Sequence, residues 1–218
     1  MSNSILITRP NYDITTNYLF YWTELVISFS TRHNAAIYDL SGSKANRTNL
    51  ESYNAKRRPK IIFLNGHGSS DVITGQDDEE IITSADKDLS RYQNCIFYAR
   101  SCQSANNLGV SLVDKGVSAF IGYKEDFIFF RNENYSTKPL KDPIARYFLD
   151  PSNLVMTTLI KGNSVKEADK RSKRSMTKNF LKLLTSTSST DDRDTAPYLW
   201  SNIRAQVVLG DESDKILV

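Results

Sequence analysis

The stretch Ile61-Ile62-Phe63-Leu64-Asn65-Gly66-His67-Gly68 passes from four apolar residues into a polar turn. A second stretch has the same layout, since Cys95-Ile96-Phe97-Tyr98-Ala99 leads into Arg100-Ser101-Cys102-Gln103-Ser104. Short apolar runs bounded by turn residues are typical of buried strands. In an open α/β sheet, ligands bind where the strands leave the core. We therefore expect His67 and Cys102 to meet at one edge of a sheet as a catalytic pair.

Composition sets broad limits on the function. The 218 residues carry 28 Lys and Arg against 25 Asp and Glu, a formal charge of +3. This length suits one domain of enzyme size, and we expect a single domain over residues 1–218. The charge is too mild to indicate nucleic acid as the main partner. No apolar run reaches about 18 residues and the first residues lack a signal-peptide pattern, so we expect no membrane association and a cytoplasmic location.

Apolar runs alternate with amphipathic stretches along the chain, which predicts a mostly parallel sheet covered by helices. The predicted strands cover residues 5–8, 36–40, 61–64, 95–99, 118–122 and 206–209. The predicted helices cover residues 15–31, 49–57, 86–92, 105–115, 142–149, 153–161 and 164–184. Residues 124–138 show no clean period and are interpreted as a loop or small hairpin. Residues 185–194 are rich in Ser, Thr and Asp, which favours a flexible surface loop.

Thiol catalysis needs a thiolate, a proton shuttle and donors for the oxyanion, and the two motifs offer all three. Cys102 precedes the helix predicted at 105–115, whose N-terminus would lower the pKa of its thiol. His67 carries an imidazole, the side chain that most often acts as general acid and base. The backbone N–H groups of Gly68 and Cys102 can form the oxyanion hole. The separation of 102 − 67 = 35 residues fits one strand-helix-strand step.

These motifs resemble those of the caspase-like cysteine peptidases, the group of caspases, metacaspases, gingipains, separase and bacterial CHAT-type proteases. The downstream stretches 116–123 and 162–168 and Trp200 look most like the CHAT-type branch, and the similarity spans about residues 60–211. The resemblance implies a three-layer α/β sandwich with a mostly parallel central sheet. It also implies cleavage of a protein substrate through an acyl-enzyme on Cys102, with His67 as acid/base, no third catalytic side chain and no cofactor.

The sequence allows two interpretations of substrate specificity, a preference for acidic or for basic side chains. Arg100 stands where metacaspases have an acidic residue, and its positive charge in a pocket would favour an acidic substrate side chain. Glu125 and Asp126 resemble the acidic pocket position of separase-like and gingipain-like members, which would favour Arg or Lys. For Arg100 the alternative is an ion pair at the sheet end, and for the two acidic residues it is solvated loop charge.

Other classes of function fit the sequence less well. Both histidines precede Cys102 and no Gly-x-Ser-x-Gly elbow is present, which disfavours a serine hydrolase. The two cysteines form no close pair, so we expect no metal site. The basic stretch 161–182 is interpreted as the solvated face of a helix, without nucleic acid as partner. The alternatives that remain are a catalytically silent scaffold and a latent protease that needs an activating protein partner. A regulated bacterial effector, acting in defence or programmed cell death, is the expected setting.

Overall fold

The computed structural model describes residues 4–185 and 187–216. These residues form eight strands and six α-helices joined by short turns. In chain order the elements are β1 (Ser4–Arg9), α1 (Ile14–Arg32), β2 (Ala36–Ser41), α2 (Arg47–Arg57), β3 (Ile61–Asn65), β4 (Val72–Thr74), β5 (Glu80–Thr83), β6 (Ile96–Arg100), α3 (Asn107–Asp114), β7 (Ala119–Tyr123), α4 (Pro143–Ile160), α5 (Val165–Leu183), α6 (Thr190–Ala205) and β8 (Gln206–Gly210).

Six of the strands form one sheet in the order β2-β1-β3-β6-β7-β8. The first five are parallel, and β8 runs antiparallel to β7. Strands β4 and β5 form a separate antiparallel hairpin. The mostly parallel central sheet is therefore confirmed, and all six predicted strands are present within one or two residues of the predicted bounds.

Alternate strand residues face two separate cores, which produces a three-layer sandwich. On one face, Ile61, Phe63 and Tyr98 pack with the apolar sides of α1, α4, α5 and α6. On the other face, Ile62 and Phe97 pack with α2, α3 and the β4–β5 hairpin. The sheet is thus covered on both sides, as expected for parallel strands that are apolar along their whole length.

The helices differ from the prediction where tertiary packing outweighs local signals. Residues 142–149 and 153–161 form one helix, α4, although Pro151 lies inside it. The helix continues past the proline because Phe148 and Val155 on either side of it are buried in the same core. The helix predicted at 86–92 is only a 3-10 turn, Leu89–Tyr92.

The expected flexible loop at 185–194 is shorter than predicted. Helix α6 begins at Thr190, capped by the Ser189 side chain, which accepts a hydrogen bond from the N–H of Asp192. Ser186 lies outside the described residues. Ser and Asp are common in loops, but they are also the preferred residues at the N-terminus of a helix. The composition of this segment therefore does not distinguish a loop from the start of α6. In the described ranges, no helix is long and apolar enough to cross a membrane.

Candidate active site

The pairing of β3 with β6 sets the position of the two candidate catalytic residues. The last paired residues are Asn65 and Arg100, at the carboxyl ends of the two parallel strands. His67 and Cys102 each lie two residues beyond this pair. Both therefore emerge at the same edge of the sheet from neighbouring strands.

The loop that carries His67 needs glycine on both sides of the histidine. Gly66 has a φ of +152°, and a Cβ there would lie 2.1 Å from the carbonyl oxygen of Thr74. A Cβ on Gly68 would lie 2.2 Å from Oγ of Ser101. The histidine loop is thus packed directly against the cysteine loop, with no room for a side chain between them.

Three loops converge at this edge and are held together by hydrogen bonds. The N–H of Leu108 donates to the carbonyl of Ser70 at 2.9 Å, which joins the first turn of α3, after the β6 loop, to the loop after β3. The N–H of Gln103 donates to the carbonyl of Glu125 at 3.0 Å, which joins the loops after β6 and β7. The side chain of Gln103 also donates to Asp126 at 3.0 Å. The predicted acidic residues therefore lie beside the cysteine loop.

His67 is partly exposed and oriented by a carboxylate. Its side chain is 39% exposed, so a substrate can reach it. Its Nε2 lies 2.6 Å from Oδ2 of Asp13, the residue that caps the N-terminus of α1. A carboxylate accepts hydrogen bonds, so Nε2 carries the proton and Nδ1 keeps its lone pair. Within the part of the chain that the structure describes, Nδ1 has no hydrogen-bond partner, which leaves it available as a base.

Cys102 is half-buried beneath the loop that follows β7. Its thiol donates a long hydrogen bond of 3.9 Å to the carbonyl of Phe127. Burial of Cys102 raises the pKa of its thiol above the ordinary value of 9.0, and the negative charge of nearby Asp126 adds to this effect. The expected lowering by a helix N-terminus is wrong for this conformation, because residues 102–106 form turns and α3 begins only at Asn107. The macrodipole acts within the first turn of a helix.

Two backbone N–H groups at this edge of the sheet are left without an acceptor. The N–H groups of Gly68 and Cys102 have no acceptor among the described residues, whereas those of the next residues, Ser69 and Gln103, are bonded. Unpaired N–H donors next to a nucleophile are the arrangement that stabilises a tetrahedral intermediate. The structure thus brings His67, Gly68 and Cys102 together.

Arg100 is not part of this site, which corrects the predicted role in substrate binding. Residue 100 follows Ile96 and Tyr98 in the alternation of β6, so its side chain points into the core beneath the sheet edge. It is completely buried, and no substrate can contact it. Its five N–H donors are all used, by Asn65, Ser152, Asn153, Thr23 and the carbonyl of Leu19.

The charge of Arg100 has no carboxylate partner in the described part of the chain. Burial lowers the pKa of its guanidinium to about 10. The group is still charged at neutral pH and is stabilised by neutral hydrogen-bond acceptors and by the ring of Phe63, whose centroid lies 5.2 Å from the guanidinium carbon. Its bonds to α1 and α4 fix both helices against the ends of β3 and β6. Arg100 is therefore a structural support for the loops above it.

Asp13 is the site residue that sequence reasoning missed. It is 54 residues from His67 along the chain, and the resemblance required no third side chain. The signal that could have found it is the capping box of Asp13 and Thr16, which places a helix N-terminus directly after β1, the neighbour of β3. No group of three or more His, Cys, Asp or Glu side chains in the described ranges could hold a metal ion.

Comparison with known proteins shows the fold. No protein-family model and no curated protein sequence matches this chain. A solved structure of the complex of the RgpB pro- and mature domains of Porphyromonas gingivalis is similar, with a TM-score of 0.59 and 10% sequence identity. The match covers 96% of this chain and 47% of that chain, so this protein spans about half the length of its structural neighbour. At this identity the likeness concerns the fold alone, and the chain has the caspase-like α/β fold.

Proposed function

We propose that this protein is a cysteine endopeptidase with Cys102 as nucleophile and His67 as general acid and base. The observation that carries the proposal is the β3–β6 register, which places both residues two positions beyond the Asn65–Arg100 pair. The packing of Gly68 against the cysteine loop supports it further. The gingipain-like neighbour is consistent with a cysteine-protease fold.

In the proposed reaction, Nδ1 of His67 takes the proton from the Cys102 thiol as Sγ attacks the carbonyl carbon of the scissile bond. The N–H groups of Gly68 and Cys102 stabilise the oxyanion. His67 then gives its proton to the leaving amine, the C–N bond breaks and an acyl-enzyme remains. A water molecule, deprotonated by His67, then attacks the acyl carbon, the C–S bond breaks, and His67 returns the proton to Sγ, which releases the acid product and restores the thiol. Asp13 keeps His67 in the tautomer that this sequence needs.

We propose a preference for Arg or Lys on the acyl side of the scissile bond. Asp126 is exposed and lies close to the Cys102 thiol. Glu125 is its exposed neighbour, and its carboxylate accepts a hydrogen bond from Ser201 at 3.4 Å. Because Arg100 is buried, these two carboxylates are the charges that a substrate side chain beside Cys102 would meet.

We also propose that the chain is a regulated effector with a low basal activity that an activating protein partner raises. The raised pKa of Cys102 supports this, because few thiolates exist at neutral pH while the loop after β7 covers the thiol. A partner that moved this loop would expose Cys102 and separate it from Asp126. A bacterial defence role belongs to the same proposal and rests on the CHAT-type resemblance.

The proposal is tested by cleavage of a fluorogenic peptide library that varies the residue on the acyl side. Wild type, Cys102→Ala, His67→Ala and the matched control Cys95→Ala are compared. We expect cleavage after Arg or Lys that is lost in the first two variants and kept in the control, since Cys95 is buried at the opposite end of β6. Cleavage that survives in Cys102→Ala would exclude the mechanism. If the wild type cleaves no peptide and Cys102 does not react with an electrophilic thiol probe, the alternative of a catalytically silent scaffold would be favoured.

A further inference from the structure

A second concave surface lies at the opposite edge of the sheet from His67 and Cys102. It is formed where α2 ends and where β3 and β6 begin, and it encloses about 790 Å³. Clefts of this size accommodate small ligands. We call it the basic cleft. Its lining residues are 54–60, 90, 91 and 93–95.

Every charged side chain that lines the basic cleft is positive. These residues are Lys56, Arg57, Arg58, Lys60 and Arg91. The last two have acidic partners outside the lining, since Lys60 pairs with Asp214 and Arg91 pairs with Glu51 and Asp88. The other three are exposed and form no ion pair with any residue that the structure describes. Three cations without an acidic partner among the described residues therefore line one concave surface, and no lining residue carries a carboxylate. The guanidinium of Arg57 also lies over the ring of Tyr38, 5.2 Å from its centroid.

The backbone keeps one of these cations in an unusual position. Arg58 follows the last turn of α2 in the left-handed conformation, with a φ of +47°. Glycine or asparagine is the usual residue there, because most other side chains are strained in this conformation. Lys56 and Arg57 in the last turn are explained in part by the negative end of the helix macrodipole. The macrodipole favours a cation at residue 58 as well, but it does not explain a residue other than glycine or asparagine in the left-handed conformation there.

We propose that the basic cleft binds a small molecule that carries two or more phosphate groups. Guanidinium groups match phosphate oxygens in a bidentate geometry, and a lysine adds a mobile point charge. Polar side chains of Asn94 and Gln93 on the same lining can donate to further oxygens. The concave shape favours a compact polyanion over a nucleic-acid strand, which binds along an extended groove. This site is separate from the proposed peptidase site and does not depend on it.

The test measures binding of sodium tripolyphosphate by isothermal titration calorimetry. The cleft variant is Lys56→Gln/Arg57→Gln/Arg58→Gln. Its matched control is Lys170→Gln/Arg174→Gln/Lys178→Gln, which removes the same charge from three exposed, unpaired cations on α5. Pairing of several phosphate oxygens predicts a Kd at least about 10-fold weaker in the cleft variant, with less than about a 2-fold change in the control. Circular dichroism checks that each variant folds. If the triple variant does not fold, the single variant Arg58→Gly replaces it, because glycine suits the left-handed backbone at residue 58.

Three results would overturn the proposal. The first is no tripolyphosphate binding by the wild type. The second is an equal loss of affinity in the cleft variant and the α5 control, which would indicate a response to net charge alone. The third is binding of a single-stranded oligonucleotide without binding of tripolyphosphate, which would assign the surface to nucleic acid.

Discussion

The carboxylate of Asp13 joins the start of α1 to His67. Its Oδ2 accepts from Nε2 of His67 at 2.6 Å, while its Oδ1 accepts from the backbone N–H of Thr16 at 2.7 Å. Burial of this carboxyl acts to raise its pKa, but the hydrogen bonds from Thr16 and His67 outweigh burial and lower the pKa below the ordinary value of 3.8. The group is therefore ionised at neutral pH. One side chain caps a helix and orients the proposed base.

Replacing Asp13 separates these two roles. Asn is as good an N-cap as Asp, so Asp13→Asn should keep the thermal stability but leave His67 without its carboxylate. We expect kcat/KM for peptide cleavage to fall by about 100-fold or more, because the histidine tautomer is no longer fixed. Asp13→Ala should lose the same activity and about 1 kcal/mol of stability as well.

The control for this experiment is Asp78→Asn, which removes a carboxylate that accepts from Tyr12 but does not bond to His67. Its activity should remain close to wild type. Equal losses in Asp78→Asn and Asp13→Asn would indicate a general charge effect and contradict an orienting role for Asp13.

The pH dependence of Cys102 alkylation tests the environment of the thiol. Burial and Asp126 raise the pKa of Cys102 above 9.0, so the thiolate fraction should grow only as the pH passes that value. Asp126→Asn removes a negative charge that disfavours the thiolate, and it should shift the iodoacetamide rate profile to lower pH. Glu125→Gln is the matched control and should leave the profile in place. A profile that does not move in Asp126→Asn would show that Asp126 has no effect on the thiol.

Gly68→Ala should damage the oxyanion site. The added Cβ would lie 2.2 Å from Oγ of Ser101 and 2.6 Å from the carbonyl of Val72, so the loop must shift. Loss of one oxyanion donor typically lowers kcat by about 100-fold. The comparison is Ser69→Ala, which removes an exposed hydroxyl next to Gly68 that accepts a hydrogen bond from the N–H of Asp71 at 3.3 Å. Equal activity of Gly68→Ala and wild type would exclude the Gly68 N–H as a donor.

Arg100→Lys should unfold more easily than wild type. A lysine has three donors and lacks the planar fork, so it leaves several buried acceptors among Asn65, Ser152, Asn153 and Thr23 unpaired. We expect a loss of about 3 kcal/mol in the free energy of unfolding, measured with urea. Arg171→Lys, at an exposed ion pair on α5, should change stability by less than about 0.5 kcal/mol. Similar values for both variants would contradict the supporting role of Arg100.

The sequence is sufficient to predict the central sheet and the meeting of two loops. Strands β3 and β6 are apolar up to their last residues, Asn65 and Arg100, because a parallel sheet covered on both faces buries every side chain. Their carboxyl ends then place His67 and Cys102 at one edge by topology alone.

Other features depend on long-range geometry that no local pattern encodes. The alternation of β6 predicts that the Arg100 side chain points into the core. Its five hydrogen-bond acceptors, however, come from three elements that are distant in sequence, α1, β3 and α4. The contact of Asp13 with His67 depends on where α1 begins after β1 and on the angle at which it leaves the sheet. Continuation of α4 through Pro151 depends on core packing that outweighs the local preference.

The most direct test of the account is to find which cysteine a peptide-based electrophile modifies. The chain is incubated with an arginyl acyloxymethyl ketone, and the adduct is located by peptide mass mapping in wild type and His67→Ala. We predict an adduct on Cys102 that forms much more slowly without His67, and none on the buried Cys95. Modification of Cys102 at the same rate in both proteins, or no adduct on Cys102, would contradict a Cys102–His67 catalytic pair.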